Sequence, residues 1–215
     1  MKASIIAGGR FVLTDLIKRE LESSDYIIAA DSGLDYLLDN NIKVDIIVGD
    51  FDSMSERAKK ISEEKKDSIL VFPKEKDYTD SYIAIKYAID KGYKDIRLFG
   101  FVGSRLDHTL NNILFLDYLN NLGVKAEIID ENNKAFVLEG KISINKECLG
   151  NFNYISVIPT VSEISLTSEG LKYDVENLLL SPLKNQGRGI SNELKEKNAS
   201  ISIKGRGGLI VYSKD

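Results

Sequence analysis

Short apolar runs and longer amphipathic stretches alternate along residues 1–130. The runs Ala3–Ala7, Tyr26–Ala30, Asp45–Val48, Ile69–Phe72, Ile96–Phe99 and Ala126–Ile129 predict strands. Between them, Phe11–Glu22, Leu34–Asn40, Ser55–Lys65, Thr79–Lys91 and Asp107–Leu122 predict helices. In Thr79–Lys91, Ile83, Tyr87 and Ala88 fall at helical spacing, with Asp80, Lys86 and Asp90 outside that set. Alternation of this kind implies βαβ units and a mostly parallel sheet with helices on both faces.

After Asp130-Glu131-Asn132-Asn133 the pattern changes. Ala135–Leu138, Ile142–Ile144, Tyr154–Ile158, Ile164–Leu166, Ala199–Ile203 and Leu209–Tyr212 read as short strands. Turn signals at Gly140, Asn151, Pro159, Gly170, Gly187 and Gly205–Gly208 separate them, with no helix between. The expectation is an α/β fold over residues 1–130 followed by an antiparallel β-sandwich or barrel over residues 131–215. So small a sandwich is expected to need a partner surface.

Composition narrows the function classes. Apolar residues make up 43% of the 215, enough for a packed core. Acids outnumber bases 33 to 29, which argues against a general nucleic-acid binder. A nucleotide substrate stays open, because it needs only local positive charge. The single cysteine, Cys148, excludes an internal disulfide, and no zinc spacing occurs. Neither a signal peptide nor a membrane span is legible, and a cytoplasmic protein is expected.

Polar motifs fall where the predicted parallel strands end, the edge at which open α/β sheets bind ligands. Asp31-Ser32-Gly33 follows the second strand and Gly49-Asp50-Phe51-Asp52 the third. Lys76-Asp77-Tyr78-Thr79-Asp80 follows the fourth, and Gly103-Ser104-Arg105-Leu106-Asp107-His108 the fifth. In an extended chain residues i and i+2 point the same way, so Asp50 and Asp52 would face one point. Each residue also has a plainer use: Asp31, Thr79, Asp80 and Asp107 are all suited to capping helices, and the glycines to turns. Capping alone does not require the acids of four successive loops to share one edge. Asp31, Asp50, Asp52, Asp80 and Asp107 together would repel one another without cations. Arg105, Lys76 and one or two Mg²⁺ ions are the natural compensation, a combination suited to phosphoryl transfer. No P-loop and no protein-kinase motif is present. Gly8-Gly9 after the first strand is a weak further sign of phosphate approach. His108, the only histidine, is either structural or a partner of phosphate, ribose or Asp107.

GDFDS at 49–53, KDYTD at 76–80 and GSRLDHTLNN at 103–112 resemble, in that order, the motif series of the thiamine pyrophosphokinase family. Asp31-Ser32-Gly33 resembles its early DGG-type motif, and Gly170–Tyr173 and Ile190–Asn192 its thiamine-side motifs. The resemblance implies transfer of the diphosphate of ATP to the hydroxyl of thiamine, giving thiamine diphosphate and AMP, with Mg²⁺. It also implies an α/β nucleotide domain followed by a β-sandwich, and a homodimer with thiamine in a cleft between subunits. Carried over by motif, Asp50, Asp52 and Asp80 hold the metal and diphosphate, with Asp31 and Asp77 close behind. Arg105 holds the transferring phosphates beside Asp107. Lys76, Thr79, Ser104, His108 and Asn112 surround the nucleotide. Asp52 or Asp107 takes the hydroxyl proton. Tyr173 stacks on thiamine, and Ser191 and Asn192 hydrogen-bond its pyrimidine edge. Two departures stand out. Ser104 occupies a family glycine position and would be strained if that position needs positive φ, and with no tryptophan in the chain Tyr173 must supply the stacking. The alternatives are another Mg²⁺-dependent phosphotransferase or phosphohydrolase with a different acceptor, and a non-catalytic nucleotide or thiamine sensor.

Overall fold

A computed structural model describes residues 1–49, 55–58, 60, 69–71 and 78–215. Asp50, Asp52, Lys76 and Asp77, with Phe72 and most of the expected helix Ser55–Lys65, lie outside the described residues. The chain divides into two compact units: Met1–Asn112 with Asn121–Glu131, and Ile113–Asn120 with Asn132–Asp215.

The first unit is built on six parallel strands: β1 (Lys2–Ile6), β2 (Tyr26–Ala30), β3 (Ile46–Gly49), β4 (Ile69–Val71), β5 (Asp95–Phe99) and β6 (Lys125–Ile129). Their order is β6-β5-β1-β2-β3-β4, and neighbouring strands among them pair in parallel. The helices are α1 (Asp15–Glu22), α2 (Gly33–Asp39), α3 (Asp80–Asp90) and α4 (Leu106–Asn121), the last passing into the second unit. Alternate strand residues face opposite ways. Ile6, Ala29, Ile47, Phe99 and Ile129 pack with Ile17 and Leu21 of α1 and Leu34 and Leu37 of α2. α3 has no member in that cluster; it lies against β1, β2 and β3 and covers the other face. Its buried residues are Ala84, Ile85 and Ala88 rather than the expected Ile83 and Tyr87, which are only half-buried. The two alanines let the helix axis approach the sheet. Each fully buried isoleucine or leucine stabilises the unit by about 1.5–3 kcal/mol.

α1 begins later than its apolar pattern suggested. Thr14 is extended and its hydroxyl accepts from Ile17 N at 3.3 Å, which caps the helix there. Phe11, expected inside it, instead stacks on Tyr36 with ring centroids 5.3 Å apart. A buried ion cluster was not legible at all. Arg97 of β5 bridges Glu127 of β6 and Glu20 of α1, each at 3.2 Å, and also Asp95.

The second unit contains β7 (Asn133–Asn145), β8 (Tyr154–Pro159), β9 (Ile164–Glu169), β10 (Leu178–Leu180) and β11 (Asn198–Ser213), all antiparallel. The sequence pattern expected one short strand on each side of Gly140 and of Gly205–Gly208. The structure has two long ones, β7 and β11, paired along their length. The glycines mark an irregularity rather than a turn: the register shifts between Ile203 and Gly208, where Gly205 and Gly207 have φ of 110° and 76°. β9 pairs the first half of β11 and β8 the second half. A one-turn helix, α5 (Lys146–Leu149), interrupts the expected run of strands, capped by Asn145 Oδ1 accepting from Cys148 N at 2.8 Å. Among the described residues no helix is long and apolar enough to cross a membrane.

Within the second unit Asp117 is buried, and its Oδ2 has no hydrogen-bond partner among the described residues. Burial raises its pKa above the ordinary carboxylate value, with a hydrogen bond from Thr160 opposing. A carboxyl whose pKa is raised by folding destabilises the fold while ionised, and that penalty disappears as pH falls through the folded pKa. Asp117→Asn is therefore expected to raise Tm at neutral pH by about 2–4 °C, with the gap to the parent closing on acidification. A lower Tm at neutral pH would mean the carboxylate is stabilising.

Candidate active site

In the first unit the ends of β1, β2 and β5 and the starts of α3 and α4 converge on a cleft of about 390 Å³. Its floor is backbone. Ala7 N donates to Phe99 O at 2.8 Å, Gly9 N to Gly100 O at 2.8 Å and Arg10 N to Val102 O at 2.7 Å, so the loops after β1 and β5 run zipped together. A Cβ on Gly9 would collide with the Gly100 and Val102 carbonyl oxygens, and one on Gly33 with the Ile6 carbonyl oxygen. The expected weak sign, Gly8-Gly9, is thus part of the cleft itself.

Asp31 follows β2 with φ of 52°, a left-handed conformation uncommon for a residue with a side chain. Its N–H donates to Val48 O at 2.8 Å, fixing the turn against the end of β3. Asp80 joins it from the first turn of α3. The position a Cβ would take on Gly49 lies 3.3 Å from Asp31 Cα and 3.5 Å from Asp80 Oδ1. Asp31, Gly49 and Asp80 therefore meet at one point, and Asp50 is the next residue in the chain. Thr79 does what a helix cap does: its Oγ1 accepts from Tyr82 N at 3.2 Å while it lines the cleft.

The opposite wall is the loop Gly100–Arg105 and the start of α4. Thr109 Oγ1 accepts from Gly103 N at 3.1 Å, and Asn112 Nδ2 donates to Phe101 O at 2.8 Å. These two side chains hold the loop, and Thr109 had no signal in the sequence beyond its place in the motif. Ser104 lines the cleft without positive φ, so the expected strain at the former glycine position is absent. Arg105 and Asp107 form an exposed fork, Nη2 to Oδ2 at 2.6 Å and Nε to Oδ1 at 3.3 Å. The Arg105 hydrogen bond holds the Asp107 carboxyl below the usual carboxylate range. His108 lines the cleft behind Arg105.

In the second unit a smaller cleft of about 80 Å³ has apolar walls from Ile155, Val157, Leu171 and Ile201, with Tyr173, Arg188 and Asn192 also lining it. Its geometry is set by two polar side chains. The Asp174 carboxylate accepts from Gly170 N and Leu171 N, each at 3.0 Å. The Asn192 amide clamps the Tyr173 backbone, its Oδ1 accepting from Tyr173 N at 3.1 Å and its Nδ2 donating to Tyr173 O at 2.8 Å. Asn192 thus positions Tyr173, a residue 64% exposed. Ser191, at φ of 57°, donates from its N–H to Ser156 Oγ at 3.0 Å and is absent from the cleft lining. Arg188 and Asp174 were not singled out in the sequence; a lone arginine near Gly187 and an aspartate in a turn carry no pattern of their own.

A parallel sheet that gathers glycines, carboxylates and an arginine at its carboxyl edge defines a phosphate- and nucleotide-binding α/β protein, here with a second, antiparallel unit. Residues 17–128 match the family model described as thiamin pyrophosphokinase, catalytic domain, and residues 139–210 that of the thiamin pyrophosphokinase vitamin B1 binding domain. The chain is 32% identical over 210 residues to the thiamine pyrophosphokinase of Bacillus subtilis strain 168, covering 97% of this chain and 96% of that one. The crystal structure of the Bacillus subtilis thiamine pyrophosphokinase superposes with a TM-score of 0.86 at 31% identity over all of both chains. That of the Geobacillus thermodenitrificans thiamin pyrophosphokinase gives 0.82 at 31% identity over 100% of this chain and 98% of that one. The chain belongs to the thiamine pyrophosphokinase family.

The close approach at Gly33 makes a stability prediction. Gly33→Ala must push α2 away from the end of β1 and is expected to destabilise by about 2–3 kcal/mol in urea unfolding. Gly103→Ala, whose Cβ would meet Gly9 Cα at an ordinary 3.4 Å, is expected to stay within about 1 kcal/mol of the parent. Equal effects would mean that the backbone contact at Gly33 is not tight.

Proposed function

We propose that this chain transfers the diphosphate of ATP to the hydroxyl of thiamine, giving thiamine diphosphate and AMP. The observation that carries the reading is the meeting of Asp31, Gly49 and Asp80 across a glycine-walled cleft from Arg105, in the unit matched by the family's catalytic-domain model. The hydroxyl oxygen attacks the β-phosphorus, the bond from that phosphorus to the α,β-bridging oxygen breaks, and AMP leaves with the electron pair. The hydroxyl proton must pass to a base. Asp52 and Asp107 are the two candidate bases.

The donor set suits a hard divalent cation. Asp80 Oδ1 and the Asp31 backbone meet around Gly49, immediately before Asp50. The described residues by themselves contain no group of three acids, histidines or cysteines that could hold a metal; Asp50, Asp52 and Asp80 are the proposed ligands of Mg²⁺. Bound there, Mg²⁺ would neutralise phosphate charge. Arg105 would leave its exposed fork to hold the transferring phosphates, and Lys76, Asp77, Thr79, Ser104, His108 and Asn112 would complete the nucleotide's surroundings. Residues 1–130 serve as the nucleotide domain and 131–215 as the thiamine domain. Tyr173 stacks on thiamine, held by Asn192, with Ser191 nearby in sequence. A homodimer with thiamine at the subunit interface, working in the cytoplasm, completes the reading.

Phosphorus NMR of the protein with ATP, Mg²⁺ and thiamine tests it: AMP and thiamine diphosphate are expected to appear together and only with thiamine present. ADP with a monophosphate product would make this a different kinase. Tyr173→Ala and Asn192→Ala are both expected to raise the thiamine KM about tenfold or more, with the ATP KM little changed. Equal effects on both substrates would remove Tyr173 from the thiamine site.

A further inference from the structure

Arg10 follows the Gly8-Gly9 pair that lines the phosphate-type cleft, and its N–H donates to Val102 O at 2.7 Å. Its guanidinium pairs with the carboxylate of Glu131, two residues beyond the end of β6. The sheet order places β5 between β1 and β6, and all three strands run parallel. The ion pair therefore joins the two neighbours of β5, about 10 Å apart, across the place where the β5 loop leaves the sheet. We infer that Arg10 and Glu131 form a strap that positions the Gly100–Arg105 loop for the phosphates of the nucleotide; the inference rests on the function proposed above.

Three observations carry it. First, Arg10 is tied at both ends. Its main chain holds Val102 O, beside Gly9 N on Gly100 O at 2.8 Å, and its side chain is held from β6. A shift of Arg10 passes directly to Val102, and from there to Gly103, Ser104 and Arg105, which line the cleft. Second, the partners differ in burial. The Glu131 side chain is 12% exposed and that of Arg10 64%. Beyond the ion pair, neither Glu131 carboxylate oxygen has a hydrogen-bond partner among the described residues. A carboxylate shielded from water and stripped of its cation is strongly unfavourable, so Glu131 keeps Arg10 in place. Arg105 differs: its partner Asp107 is itself exposed and stays hydrated if the fork opens. Third, the far side of the loop is already held from α4, by Thr109 Oγ1 accepting from Gly103 N at 3.1 Å and Asn112 Nδ2 donating to Phe101 O at 2.8 Å. The strap supplies the matching hold from the sheet.

The test separates a strap from a phosphate ligand. Glu131→Met, Arg10→Met and the double variant are compared with Arg10→Lys, which keeps the charge. Amide hydrogen exchange of the ligand-free proteins reads the loops directly: the amides of Gly9 and residue 10 are expected to exchange about tenfold faster in Glu131→Met. Calorimetry with α,β-methylene-ATP and Mg²⁺ reads the consequence. Binding is expected to weaken about tenfold, within the roughly 100-fold that a misplacement of about 1 Å can cost. The ATP KM should rise to match, with the thiamine KM staying within about twofold. Because the two residues act through each other, the double variant should lose no more than Arg10→Met alone. Arg10→Lys should stay within about threefold of the parent.

Weakened analogue binding in Arg10→Met with Glu131→Met unchanged would make Arg10 a phosphate ligand and overturn the inference. Unchanged exchange in Glu131→Met, or an equal rise of both KM values, would overturn it as well. Exchange and analogue binding need no acceptor, so a protein that shows both effects but makes no thiamine diphosphate would fail the proposed function and keep the strap. Circular dichroism and Tm confirm that each variant is folded. Glu131→Met removes the shielded charge and leaves Arg10 in water, so it tests the strap even if Arg10→Met does not fold.

Discussion

At the carboxyl edge of the parallel sheet, backbone meets backbone where side chains would ordinarily stand. The loops after β1 and β5 exchange direct hydrogen bonds from Ala7, Gly9 and Arg10, and α2 starts against the carbonyl of Ile6 with only Gly33 between. These approaches are open to glycine alone, and they leave a wall of peptide groups with no side chain in front of it. The acids are then placed beside that wall: Asp31 by a left-handed turn tied to β3, Asp80 by the capped start of α3.

The same charge types serve opposite ends in the two halves of the first unit. Around Arg97 the acids Glu20, Asp95 and Glu127 pair with the guanidinium they enclose, and the cluster joins β5, β6 and α1. At the sheet edge Arg105 is exposed and, among the described residues, forked to Asp107, a pairing weakened by solvent. In the second unit the division of labour differs again. Asp174 and Asn192 bind main chain and shape the loops, while apolar side chains and Tyr173 face the cleft.

The parallel half was legible because its strands are near-continuous apolar runs separated by amphipathic helices, and Tyr26–Ala30 is found where the pattern put it. Boundaries failed where a single side chain decided them, as Thr14 did for α1. In the second half the glycines misled: Gly140 and Gly205–Gly208 carry a turn signal, but a long antiparallel ribbon uses the same freedom to bend. Leu178–Leu180 is too short a run to separate from a loop. At the site, charged motifs were visible as residues. What was hidden was which of them act on other protein groups, since nothing in an Asn distinguishes Asn192, clamped on Tyr173, from Asn111, open to solvent.

The strand order has a consequence for how the chain is made. β1 lies inside the sheet, between β2 and β5, and its pairing with β5 joins Lys2 to Asp95 and Ile6 to Phe99. During synthesis one edge of this apolar strand must wait for most of the first unit to leave the ribosome. An unpaired apolar edge of that kind is open to strands from other nascent chains. The first strand made is thus among the last to be completed, and a chaperone holding the emerging chain would matter most over that interval.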